Sequence, residues 1–130
     1  MPDILNDFRT FLTTDASVRS DLGASLVRIG HEPDLPDECI TLYPYGGRAP
    51  EANSPQKYNG SVQVRVRAST WPKSYNTCQT IINKVHHTAS VCSNTNGRAY
   101  ATTSQPIYLT HDDERRVICV CNFDIKFVKY

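Results

Sequence analysis

Residues 61–89 read SVQVRVRASTWPKSYNTCQTIINKVHHTA, a strand that runs straight into a helix. Val62, Val64, Val66 and Ala68 alternate with Gln63, Arg65, Arg67 and Ser69, the period-two pattern of a half-buried β-strand. Pro72 then presets a helical φ at a first-turn position, where its missing N–H costs nothing. Tyr75, Cys78, Ile82, Val85 and Ala89 follow at spacings of three and four, which gathers them on one helix face. Strand and helix therefore carry apolar faces that can bury one another. The other strand face holds two arginines and no catalytic group, the pattern of a scaffold that works through its surfaces.

Working outward, Ile4, Leu5, Phe8, Phe11 and Leu12 form a helical stripe that Asp3 can cap and that ends near Thr13 and Thr14. Asp15 opens a second short helix carrying Val18 and Leu22, stopped by Gly23. Residues 26–29 and 39–43 read as strands, joined by an acidic, proline-bearing loop, HEPDLPDE. Residues 46–60, GGRAPEANSPQKYNG, change composition sharply and predict a long loop: a mobile arm, a segment ordered against a partner, or a tolerated insertion. After the helix, SVCSNTNG predicts a turn-rich connector. Residues 98–109 have strand propensity at both ends around Pro106, which suits an edge or a bulge. Residues 110–114 form a polar turn.

The last strand, residues 117–128, puts Val117, Cys119, Cys121, Phe123, Ile125 and Phe127 on one face. Its second face starts with Ile118 and Val120 and turns polar, so part of that face must also be covered, by a helix or a neighbouring subunit. Together these elements predict one α+β domain over residues 1–130: a mostly antiparallel sheet with helices packed on one face.

The 130 residues carry a formal net charge of +1, with 39% hydrophobic and 21% charged residues. That balance disfavours a dedicated nucleic-acid binder, which shows a clear basic excess. No apolar run approaches the roughly 20 residues that span a bilayer. The opening MPDILNDF lacks the basic and apolar regions of a secretion signal, so a chain that is intracellular when made is expected. Five cysteines, an odd number, then favour free thiols.

Cys119 and Cys121 have neither redox spacing nor a second ligand pair, and their alternation aims both at the core, where free cysteine packs as a small hydrophobe. Gly46 and Gly47 lack the spacing of a phosphate loop. His86 and His87 diverge by roughly 100° on a helix and suit a polar helix end. His31 and His111 sit in acidic loops that read as solvated turns. The run HDDERR, with Asp112, Asp113, Glu114, Arg115 and Arg116, is either a solvated turn or a source of ion pairs between subunits. Arg65 and Arg67 can contact phosphates, a neighbouring subunit or solvent. Without interleaved aromatics they suggest no base stacking. No catalytic set, cofactor motif or metal-ligand set stands out.

The order of elements resembles the small tail terminator and head–tail joining proteins of long-tailed phages, with their minor capsid and tail completion relatives. The resemblance rests on LVRIGHEPDLPDECITLYPYGG (26–47), SVQVRVRAST (61–70) with the helix near Pro72, and QPIYLTHDDERRVICVCNFDIKFV (105–128). The proline-rich middle loop and the paired cysteines depart from it. It implies a virion protein made in the host cytoplasm, a homo-oligomeric ring of six at the tail–neck junction. Such a ring caps the tail tube, contacts the neck connector and lets DNA through its channel, with no enzyme activity, cofactor or membrane. Candidate subunit-interface or channel contacts are Arg48, Gln63, Arg65, Arg67, Asp112, Asp113, Glu114, Arg115 and Arg116. Other readings are a head-completion adaptor or stopper and, more remotely, a thiol-dependent enzyme using Cys119 or Cys121.

Overall fold

The structure, a computed structural model, describes residues 4–14, 27–30, 32, 37–44, 46, 57–86, 88–92 and 97–128. In chain order its elements are α1 (Ile4–Thr14), β1 (Val27–Ile29), β2 (Cys39–Pro44), β3 (Lys57–Ala68), α2 (Trp71–Val85), β4 (Thr88–Cys92), β5 (Gly97–Ala101), β6 (Ile107–His111) and β7 (Val117–Val128). Asp3, the short helix expected after Asp15, His31, Arg48 and His87 lie outside the described residues.

The strands form one sheet in the order β1-β2-β3-β7-β5-β4. β6 lies beside β5, on the free edge of the first part of β7. β3 and β7 are its spine, antiparallel and in register from Lys57 opposite Val128 to Ala68 opposite Val117. Among the described strands only β1 and β2 run parallel. Three-residue β1 is about 10 Å long, so residues 30–38 suffice to bring the chain back. Gly30 opens that return in the left-handed region at φ 71°, where a Cβ is disfavoured.

The expected alternation places Val62, Val64, Val66, Cys119, Cys121, Phe123, Ile40 and Leu42 on one face, all buried. Both helices cover it. Phe8 and Leu12 of α1 are fully buried, and the Phe8 and Phe123 ring centroids are 5.5 Å apart. From α2 come Cys78, Ile81, Ile82 and Val85. The sheet is thus mostly antiparallel with helices on one face, as the alternation predicts.

Four expectations are corrected. The buried stripe of α2 is Ser74, Thr77, Cys78, Ile81, Ile82 and Val85; it is rotated from the predicted one, and Tyr75 packs only at its margin. Ser74 takes a core position because it finds backbone partners there. Its Oγ donates to the Val66 carbonyl at 2.8 Å and accepts from the Cys119 N–H at 3.2 Å. The helix ends at Val85, with His86 in an extended conformation, so Ala89 belongs to β4 and the expected turn-rich connector begins as a strand. Residues 98–109 divide into β5 and β6 around Pro106. Lastly, β3 starts at Lys57 rather than Ser61, which moves residues 57–60 from the long loop into the sheet.

Candidate functional site

The face of the sheet turned away from the helices carries the polar half of each alternating strand. Its rungs set Cys39 beside Arg67 and Ile118, Thr41 beside Arg65 and Val120, and Tyr43 beside Gln63 and Asn122. The expectation of an exposed arginine face needs correction. Arg67 is only 2% exposed, and its Nε donates to the Asp37 carbonyl at 3.1 Å. Arg65 is half-buried; its Nη2 lies 3.5 Å from Glu32 Oε2, and its guanidinium sits 5.8 Å from the centroid of the Tyr43 ring. The arginine stems neighbour Ile118 and Val120, each 3% exposed, so the apolar start of this face is covered within the chain itself.

The turn after β6 is held by Asp112. Its Oδ1 accepts the N–H of Glu114 (3.1 Å) and of Arg116 (2.9 Å), and its Oδ2 receives Arg116 Nε at 2.7 Å. Burial alone raises the Asp112 pKa; the hydrogen bonds from the Arg116 backbone and guanidinium outweigh it and hold the carboxyl below its ordinary value. Arg116, a buried residue, also reaches Asp37 Oδ1 at 3.2 Å and Glu114 Oε2 at 3.7 Å. Asp113, Glu114 and Arg115 stand exposed. Arg115 has φ 63°, a left-handed conformation that costs about 1 kcal/mol or more for a residue with a Cβ. A cleft of about 260 Å³ opens between Glu32, Arg67, Asp112, Asp113, Glu114 and Arg116.

The fold therefore brings Arg65, Arg67, Asp112, Glu114 and Arg116 to one corner with Glu32 and Asp37, two acids absent from the predicted set. Gln63 lies farther along the same face, half-buried. The only sequence signal for Glu32 and Asp37 is the acidity of their loop, since their partners are tens of residues away.

Cys39, Cys78, Cys119 and Cys121 are free and buried. Burial raises the thiol pKa of Cys39 and Cys119, and that of Cys121 strongly, which keeps the sulfurs protonated and poorly nucleophilic. Core packing of Cys119 and Cys121, expected from their alternation, is what the structure shows. Among the described residues no group of three or more His, Cys, Asp or Glu could hold a metal ion, and no helix is long and apolar enough to cross a membrane. His86 ends α2 with its Nδ1 accepting the Ala101 N–H at 2.9 Å. It borders a second cleft, of about 450 Å³, with Ile82, Asn83 and Thr102.

A search of curated protein sequences gave no match. A family model described as bacteriophage tail terminator protein matches residues 11–129, which takes in both central strands, α2 and the charged corner. With nearly its whole length covered, this chain belongs to the bacteriophage tail terminator protein family.

Proposed function

We propose that the chain is a structural, non-enzymatic subunit of a phage tail. It works as a homo-oligomeric ring, six-membered by the family resemblance, that caps the tail tube, meets the neck connector at the tail–neck junction and lets DNA pass. The observation that carries this reading is the family match over residues 11–129. The build of the second sheet face supports it. Arg65 and Arg116 pair with the chain's own carboxylates and Arg67 is buried against the Asp37 carbonyl, so the face offers DNA little basic charge to grip. Such a surface suits a channel or a subunit contact better than a nucleic-acid clamp. Arg67 and Arg116 hold the corner from within. Gln63, Arg65, Asp112, Asp113, Glu114 and Arg115 present it to a neighbour, and Arg48 remains a further candidate contact.

Cryo-electron microscopy of intact virions tests the reading. The expected result is a closed ring of this chain between the tail tube and the head connector. Absence from the junction, or a single copy there, would refute it.

A further inference from the structure

Five large hydrophobic side chains stand exposed among the described residues, and they occupy two places. Trp71 (45% exposed) and Tyr108 (46%) form one patch on the helix-covered side, where β6 meets the start of α2; Ile107 (40%) and Leu109 (47%) flank Tyr108 on β6, and Ile107, paired with Val120, points to the other side. The Trp71 ring stacks on Tyr75 with centroids 5.2 Å apart and tilts against Tyr108 at 5.5 Å, so the three rings form one cluster. The fifth, Ile29 (39%), ends β1.

β1 and β6 are opposite ends of the same rungs, and Ile29 lies one rung beyond the last that β6 reaches. One rung runs Val27, Ile40, Val66, Cys119, Tyr108; the next runs Arg28, Thr41, Arg65, Val120, Ile107. At this level the sheet is five strands wide, about 19 Å from β1 to β6 at the usual spacing of roughly 4.8 Å. No described strand pairs beyond either one; on β1, Arg9 Nε donates to the outward Val27 carbonyl at 3.0 Å, which leaves the Ile29 end of that edge for a partner. β6 is exposed at all five positions. It contains no lysine, acid or proline, the residues with which soluble proteins protect a sheet edge, and its one irregularity is a register shift between Tyr108 and Thr110.

We propose that β6 of one copy of this chain pairs with β1 of the next, so that the sheet continues from subunit to subunit. Ile29 of one copy then covers the Trp71–Tyr108 patch of its neighbour. Strand direction fits. β1 runs with β2, β3 against it, β7 against β3 and β6 against β7, so β6 opposes β1. A second copy added in the same orientation makes an antiparallel ladder, the favourable kind. The two surfaces differ, so the contact is heterologous and can close into a ring. This interface rests on the ring reading and gives it a surface.

Ile29→Lys and Leu109→Lys each spoil one side of the contact and leave the other intact. The wild type should sediment as a closed oligomer. Each variant alone should be a folded monomer by circular dichroism, with association weakened at least about tenfold, a change of roughly 1.4 kcal/mol. Mixed in equal amounts they should form a dimer, because the sound β6 edge of one meets the sound β1 edge of the other. Trp71 is the only tryptophan. With Trp71→Phe added to the Leu109→Lys chain, mixing should blue-shift the remaining emission and shield it from iodide. If the wild type assembles and both lysine variants assemble equally well, or their mixture stays monomeric, the interface is wrong and the ring stands. A wild type that remains monomeric at every concentration, with and without tail tubes, overturns both.

Discussion

Replacing Ser74 by alanine should destabilise the fold far more than the loss of one oxygen suggests. Ser74 is fully buried in the first turns of α2. Its hydroxyl links the Val66 carbonyl of β3 to the Cys119 N–H of β7, two residues that face each other across the spine of the sheet. Alanine fits the same space and leaves both backbone groups short of a partner. A buried group stripped of its hydrogen bond costs about 1–3 kcal/mol. Remaining ladder bonds absorb part of the loss, so about 2–3 kcal/mol is expected in total. At a few degrees per kcal/mol for a domain of this size, the melting temperature should fall by roughly 10 °C.

Thr77 provides the control on the same helix: it too is fully buried, yet its Oγ1 has no hydrogen-bond partner. Thr77→Val keeps the shape and removes an unsatisfied hydroxyl, so it should be neutral or stabilising by up to about 1 kcal/mol. Urea unfolding followed by circular dichroism measures both, with the midpoint moving and the slope unchanged. A Ser74→Ala protein within about 0.5 kcal/mol of wild type, or a Thr77→Val protein losing as much as Ser74→Ala, would refute the reasoning.

Three further outcomes are expected. Cys121→Asp, which sets an unpaired carboxyl in a fully buried site, should cost more than about 3 kcal/mol and show as a collapse of soluble folded protein on gel filtration. Asp112→Asn should cost about 1 kcal/mol at pH 7 by weakening the Arg116 pair. The Asp112 carboxyl is held below its ordinary value, so its contribution is present above the unfolded pKa of about 4 and lost as pH falls through the folded value. Urea titrations at pH 7 and near pH 2.5 should therefore show the gap between variant and wild type closing in acid. Arg115→Gly should stabilise by about 0.5–1 kcal/mol through relief of the left-handed backbone, whereas Arg115→Val should destabilise, as read by differential scanning fluorimetry.

Much of the architecture was legible in local pattern. The alternation of Val62, Val64 and Val66, and of Cys119, Cys121 and Phe123, dictated two long strands with one apolar face, because side-chain direction in a strand depends only on parity. That parity also settled the burial of the cysteines. The stripe of Phe8 and Leu12 announced α1, and Pro72 marked the first turn of α2 within a residue. The class of protein followed from element order together with the lack of convergent chemistry.

What only the tertiary structure decided were the partnerships between distant segments. Ser74 reads as a weak helix residue until β3 and β7 supply the carbonyl and the N–H that satisfy it. Arg67 and Arg116 read as solvated charges; the β1–β2 connection brings Asp37, 30 and 79 residues away, to receive them. Periodicity could not end α2 before Ala89, since the segment from Thr88 to Cys92 finds its partner in β5. Nor could it show that β1 and β6 stand at opposite ends of the same rungs, a relation created by strand register across five strands. Local pattern fixes which way a side chain points, but register and long-range closure fix what it meets, and in this protein the candidate contacts depend on the second.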